Sequence, residues 1–167
     1  MARGQEPERK AVDLNTLVME AIELVRRQFK RDEIEIVDEL GSGLPLVNGE
    51  SAQLQQIVIN LLQNGRDALR GSRRSGLIRL KTRRLDNRVA LSVEDDGPGI
   101  PEHIRDKVFE PFFITKEKGK GTGLGLSICQ TIAHNHSGFM WLESSARGTC
   151  VVLDLPVADK AALLAFN

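Results

Sequence analysis

The stretch from Val89 to Ile100 sets the tightest limit on how this chain can fold. Val89, Leu91 and Val93 alternate with Ala90, Ser92 and Glu94, the two-residue period of a strand with one buried face. Asp95 falls on the apolar parity, so the pleat aims a carboxylate at the covered side. Left unpaired there, it would cost several kcal/mol or take up a proton. The fold must therefore bring hydrogen-bond donors to it. Gly97 and Gly99 allow a tight turn and a close approach to a ligand, and Pro98 fixes one φ between them. Two readings stand side by side: a strand closing in an Asx turn, and a strand presenting an acid to a bound molecule.

What covers that face is written in the rest of the chain. At 167 residues with 41% hydrophobic content, one domain with a sizeable core is expected. Leu14, Leu17, Val18, Ala21, Ile22, Leu24 and Val25 recur at helical spacing after Asp13, a capping residue, and the helix runs to about Lys30. Residues 1–11 read as a frayed lead-in. Ile34, Ile36 and Leu40 form a short strand, and Gly41 to Pro45 a turn. A second helix starts at Ser51, read as its cap, with Leu54, Ile57, Val58, Leu61, Gly65, Ala68 and Leu69 on one face at about 100° per residue. Gln53, Asn60 and Asn64 cluster within roughly 40° at its margin. Two asparagines at i, i+4 carry a propensity cost in such a helix; they read either as surface amides or as a working polar stripe.

Leu77–Arg84 and Arg88–Asp95 are expected as consecutive strands about Asp86 and Asn87. The segment 97–122 then reads as a long connection with one helical turn near Glu102–Val108, and a connection of this length inside a compact domain is usually a lid or binding loop. Half of the six phenylalanines, Phe109, Phe112 and Phe113, lie in it and offer it apolar anchors. A helix follows from about Gly123 to Asn135 with Leu126, Ile128, Cys129, Ile132 and Ala133 mostly inward. Phe139–Glu143 and Thr149–Leu155 form a last strand pair, and 157–167 is a short tail.

Charge narrows the classes of partner. Lys plus Arg equals Asp plus Glu at 23 each, so no overall field favours nucleic acid or an anionic membrane. The run Arg66, Arg70, Arg73, Arg74, Arg79, Lys81, Arg83, Arg84 and Arg88 has no interleaved aromatics for base stacking and reads as a solvated or protein-docking face. Two cysteines without disulfide spacing suit a reducing compartment. With neither a signal peptide nor a long apolar span, cytoplasmic placement is expected, with any membrane-spanning segment in a longer parent.

Four features converge on one chemistry: Asp95, the Asn60/Asn64 stripe, the lid lysines Lys116, Lys118 and Lys120, and Gly119, Gly121, Gly123 and Gly125 opening a helix. Backbone N–H groups at such a helix start can close on phosphate oxygens. The spacing is not that of a Walker loop, because Lys120 is followed by glycine.

In order, NLLQN (Asn60 to Asn64), DDGPGI (Asp95 to Ile100), FEPFF (Phe109 to Phe113) and GTGLGL (Gly121 to Leu126) resemble the N, G1, F and G2 boxes of the ATP-binding catalytic domain of bacterial sensor histidine kinases. This superfamily is shared with gyrase, Hsp90 and MutL; FEPFFITK and the short lid look most like nitrogen-regulation and dicarboxylate-sensing kinases. The resemblance spans about Asp13 to Pro156. It implies an α/β (α+β) two-layer sandwich of the Bergerat type, a mixed, mostly antiparallel sheet with helices on one face, over residues 12–156.

By that resemblance Asp95 accepts from the adenine amino group, Asn64 gives its amide oxygen to Mg²⁺, and Asn60 faces the same ion and phosphates. Lys116 and the backbone of Gly121, Thr122, Gly123, Leu124, Gly125 and Leu126 would hold the phosphates of ATP. Gly97, Gly99, Ile100 and Thr149 would line the adenine pocket, with Phe109 and Phe113 in the nucleotide-contacting set. Asp67 also falls in this set, although many members carry a basic residue there. Gly65 replaces a usual alanine and is expected to loosen its helix.

Hydrolysing relatives and serine kinases usually carry a glutamate at the Asn60 position. An amide cannot take a proton near neutral pH, so the resemblance implies slow hydrolysis and in-line transfer to a protein histidine, governed by positioning and charge neutralisation. His103, His134 and His136 are the only histidines, and none lies in a phosphoacceptor motif; the last two read as helix-end residues. A dimerisation and phosphoacceptor domain would then precede Met1 as partner, with a response regulator downstream and the isolated domain monomeric. Two other readings remain: a nucleotide-sensing module without phosphotransfer, and a superfamily ATPase or serine kinase. The lid is expected to order around a γ-phosphate.

Overall fold

The computed structural model describes residues 9–71, 76–111 and 125–164, with the side chains of residues 71, 161 and 162 excepted. A five-stranded sheet carries the domain: β2 (Ile34–Leu40), β4 (Gly76–Leu85), β5 (Arg88–Asp95), β7 (Gly148–Pro156) and β6 (Phe139–Ser145), in that spatial order. β2 and β4 run parallel, and every other pair in the sheet is antiparallel. The sheet is therefore mixed and mostly antiparallel, as expected.

Three helices form the second layer: α1 (Leu14–Arg31), α2 (Ser51–Gly71) and α3 (Gly125–Asn135). The strands bury Ile78, Leu80, Val89, Leu91, Val93, Val151, Leu153 and Leu155 in one cluster with Val18, Ile22 and Phe29 of α1, Leu54, Ile57, Val58 and Leu62 of α2, and Cys129 and Ile132 of α3. Two residues of the apolar runs do not reach the core, Leu24 of α1 and Ile128 of the mostly inward set on α3. Leu24 is 67% exposed and Ile128 37% exposed, because each apolar face is narrower than its run of apolar residues.

The start of α1 is capped as the sequence implies: Asp13 Oδ1 accepts from the backbone N–H of Asn15 at 3.0 Å and of Thr16 at 3.4 Å. The start of α2 is capped differently. Glu50, not Ser51, accepts from Ala52 N–H at 3.2 Å and Gln53 N–H at 2.7 Å. Its own backbone N–H donates to His136 Nε2 at 3.1 Å, and His136 Nδ1 lies 2.8 Å from the Ile132 carbonyl. His136 is thus a helix-end residue, as read, and it also ties the end of α3 to the start of α2.

Lys10 and Ala11, placed by the sequence reading in a frayed lead-in, form with Val12 the strand β1 (Lys10–Val12), antiparallel to β3 (Val47–Gly49). Ala11 packs with Ala158 and Leu46, so the chain start is held by a distant segment. Of the expected tail, Lys160–Leu164 is a short helix, α4, whose Leu164 is largely exposed.

The outer sheet face mixes ion pairs on β2, β4 and β5 with apolar side chains on β7 and β6, where Val152 pairs with Trp141 and exposed Phe139 with Asp154. Arg79 pairs with Glu39 at 3.2 Å and Lys81 with Glu94 at 3.7 Å, all half-exposed and so of small energetic weight. Arg66 bonds to Asp32, and Arg88 bonds to Asp154 at 2.6 Å while stacking over Phe139. The basic run of the sequence is therefore split between two layers, with each of these four cations facing an acid. Arg73 and Arg74 lie outside the described residues.

Candidate nucleotide site

The covered carboxylate is where the alternation put it. Sheet pairing aligns Ile36, Ile78, Asp95, Thr149 and Ser144 in one row across β2, β4, β5, β7 and β6. A backbone group supplies the required donor, Gly97 N–H to Asp95 Oδ1 at 3.0 Å, and the Thr149 backbone alongside also favours the charged carboxylate. Burial nevertheless dominates and pushes the Asp95 carboxyl up to about 6, with Asp96 adding in the same direction. Gly65 of α2 lies over this row. A Cβ there would come within 2.8 Å of Ile78 Cδ1 and 3.7 Å of Asp95 Cβ, so the missing methyl leaves room for close approach of helix and sheet.

The turn after Asp95 is built by contacts that need its glycines. Gly99 has φ +80°, and a Cβ on it would fall 1.9 Å from the Ser145 carbonyl oxygen. Ile100 N–H donates to Ser144 Oγ at 2.7 Å, Arg105 Nε donates to the Ile100 carbonyl at 2.9 Å, and Ser144 Oγ lies 3.1 Å from Thr149 Oγ1. The start of the long connection is thereby fixed to the β6–β7 hairpin. The expected helical turn is a 3₁₀ turn at Glu102–Lys107, and Phe109 packs half-buried against the core.

Asn60 and Asn64 sit half-buried on α2, facing α3. Asn60 Nδ2 donates to Cys129 Sγ at 3.6 Å. Asn64 Nδ2 is buried with no hydrogen-bond partner among the described residues, and a Cβ on Gly125, the first residue of α3, would lie 3.7 Å from Asn64 Oδ1. A buried amide with an unused polar group beside a helix N-terminus suits a site completed by a bound molecule. The unused N–H itself calls for an acceptor such as a phosphate oxygen. Mg²⁺, a hard ion that takes a few protein oxygens and fills its octahedron with phosphate and water, could be held only by the amide oxygen Oδ1, which lies beside Gly125 at the start of α3. No cluster of three or more acidic, His or Cys ligands occurs among the described residues, so a protein-only cage is not the kind of site seen there.

Asn60, Asn64, half-buried Asp67, Asp95, Gly97, Gly99, Ile100, Phe109, Gly125, Leu126 and Thr149 all lie within the described residues. Phe113, Lys116, Gly121, Thr122, Gly123 and Leu124 lie outside them, as do Phe112, Lys118, Gly119 and Lys120. The sequence reading missed Ser144 as the anchor of the glycine turn and Cys129 as the partner of Asn60. Neither has a local signal: Ser144 meets Ile100 only through the β5–β7–β6 order, and Cys129 reads as one more inward residue of α3.

Helices on one face of a mixed sheet, an acid at the end of a central strand and an amide pair on the facing helix define an ATP-binding sandwich domain. The profile described as "Histidine kinase-, DNA gyrase B-, and HSP90-like ATPase" matches residues 49–159, and the chain belongs to this family as a catalytic domain of the sensor histidine kinase kind. The sensory histidine kinase/phosphatase NtrB of Rhodobacter capsulatus is 37% identical over 167 residues, covering 92% of this chain and 45% of NtrB. The sensor protein FixL of Bradyrhizobium diazoefficiens is 34% identical over 161 residues, covering 96% of this chain and 31% of FixL. The chain thus spans less than half the length of these curated relatives.

Among solved structures, the nucleotide-free catalytic domain of histidine kinase ThkA superimposes with TM-score 0.79 at 32% identity, covering 90% of this chain and 96% of that one. Full-length ShkA in complex with AMPPNP gives TM-score 0.80 at 28% identity, covering 92% and 32%. ThkA in complex with the response regulator TrrA gives 0.75 at 28%, covering 90% and 42%.

Proposed function

We propose that this domain binds Mg²⁺-ATP and passes the γ-phosphoryl group to a histidine on a dimerisation and phosphoacceptor domain of the same parent, with a response regulator downstream. The observation that carries the reading is the pairing of a part-buried, strand-end carboxylate at Asp95 with an Asn64 amide whose buried N–H finds no partner among the described residues. Asp95 would accept from the adenine amino group, so a purine with a carbonyl at that edge would meet a carboxylate and be rejected. Gly97, Gly99, Ile100 and Thr149 would enclose the ring. Asn64 would hold the metal through its amide oxygen and Asn60 would face the same phosphates. Bound there, Mg²⁺ would neutralise charge as the phosphoryl group leaves. Lys116 and the backbone from Gly121 would hold the phosphate tail.

Asn60 supports transfer over hydrolysis, since no carboxylate base stands one turn before Asn64. Among the described residues no helix is long and apolar enough to cross a membrane; a cytoplasmic, monomeric domain acting beside its partner domain is part of this proposal. Titration with ATP and GTP, with and without Mg²⁺, tests the site: ATP binds more tightly than GTP, and Mg²⁺ strengthens it. Labelled ATP mixed with the phosphoacceptor domain tests the transfer. Persistent failure to label a functional acceptor defeats the kinase reading and leaves a nucleotide sensor.

A further inference from the structure

Asn60 can serve phosphates or a metal only if its amide is turned the right way. Oxygen and nitrogen of an asparagine are nearly isosteric, and the environment of the group decides which faces inward. Asn60 stands at the contact of α2 and α3, where Nδ2 donates to Cys129 Sγ at 3.6 Å. Cys129 is fully buried, and its Sγ lies 4.0 Å from the Ile57 carbonyl oxygen, one turn before Asn60 on α2. That carbonyl is the acceptor available to the thiol proton. With the S–H directed to Ile57, only sulfur lone pairs face Asn60, and they take an N–H rather than a carbonyl. Burial raises the thiol to about 11 despite the opposing Asn60 bond, so Cys129 keeps its proton through the neutral range. Among the described residues no hydrogen bond is donated to Asn60 Oδ1.

We infer that Cys129 is a positioning residue: by accepting the Asn60 N–H from the buried side, it turns Oδ1 toward the magnesium and phosphate side of the site. The inference rests on the proposed Mg²⁺-ATP reading and deepens it. The residue touches neither nucleotide nor metal; it acts through Asn60 alone.

The test is a double-mutant cycle on the ratio of ATP affinity with Mg²⁺ to that without it. Cys129→Val and Cys129→Ala both remove the acceptor, one by a bulkier side chain and the other by a cavity. Each lowers the Mg²⁺ enhancement by roughly three- to ten-fold, the span expected for one modest hydrogen bond, and leaves Mg²⁺-free affinity unchanged. In an Asn60→Ala background neither changes the ratio further. The side-chain amide NMR signals of Asn60 in the nucleotide-free protein also move in both variants, a readout independent of binding. A ratio equal to wild type in both variants, or the same loss with and without Asn60, overturns the inference and leaves Cys129 as packing. Absence of any Mg²⁺ enhancement in the wild-type protein instead overturns the Mg²⁺-ATP reading, and the inference with it.

Discussion

Acidification should weaken adenine binding through a single side chain. Asp95 is held at about 6 rather than 3.8 because burial outweighs the backbone groups of Gly97 and Thr149 that favour its charge. At pH 8 it is ionised and, in the proposed site, would offer a charge-assisted acceptor to the adenine amino group. At pH 6 about half the molecules have lost that acceptor, and at pH 5 about ten in eleven have. If the neutral acid contributes little, ADP affinity falls about two-fold and then about ten-fold, the latter near 1.4 kcal/mol. Phosphate titration also changes over this range, so the measurement is the ratio of wild-type affinity to that of Asp95→Asn at each pH, by calorimetry at fixed Mg²⁺. The amide does not titrate, and the phosphate effects cancel in the ratio. Parallel curves for the two proteins from pH 8 to 5 would refute the argument. Free protein gives a second check. The native state keeps a proton that the unfolded chain releases between pH 3.8 and about 6, so this group's contribution favours folding below that window and is lost as pH rises through it.

Three other outcomes follow from the geometry. His136 has the opposite sign: burial lowers its pKa from 6.5, so the native state refuses a proton that the unfolded chain takes up. Its contribution is present above about pH 6.5 and lost on acidification below it; urea unfolding at pH 7.5 and 5.5 should show a smaller acid loss in His136→Gln than in wild type. Gly99→Ala would force a Cβ to within 1.9 Å of the Ser145 carbonyl at φ +80°; a cost of about 2 kcal/mol in chemical denaturation and loss of ATP binding are expected. Asn64→Ala removes the amide proposed for the metal, so Mg²⁺ should no longer strengthen ATP binding, while Mg²⁺-free affinity and the melting temperature stay near wild type.

Local chemistry alone determined a good deal about this protein. The pleat carried Asp95 to the covered face because side-chain direction along a strand follows from parity, and Asp13 capped α1 because a carboxylate two and three residues before free N–H groups can reach them. The asparagine stripe on α2 followed from helical angle, and four ordered motifs supplied the family. What sequence spacing could not supply was every relation between segments distant along the chain. Glu50 took the cap of α2 from Ser51 while His136, from the far end of α3, held its backbone. Residues 10–12 became a strand only because Val47–Gly49 lay free to pair with them. Ser144 met Ile100, and Cys129 met Asn60, only once strand order and helix packing were set. Such contacts leave no periodic trace, since one side chain meeting one distant partner imposes no repeat on the residues around it.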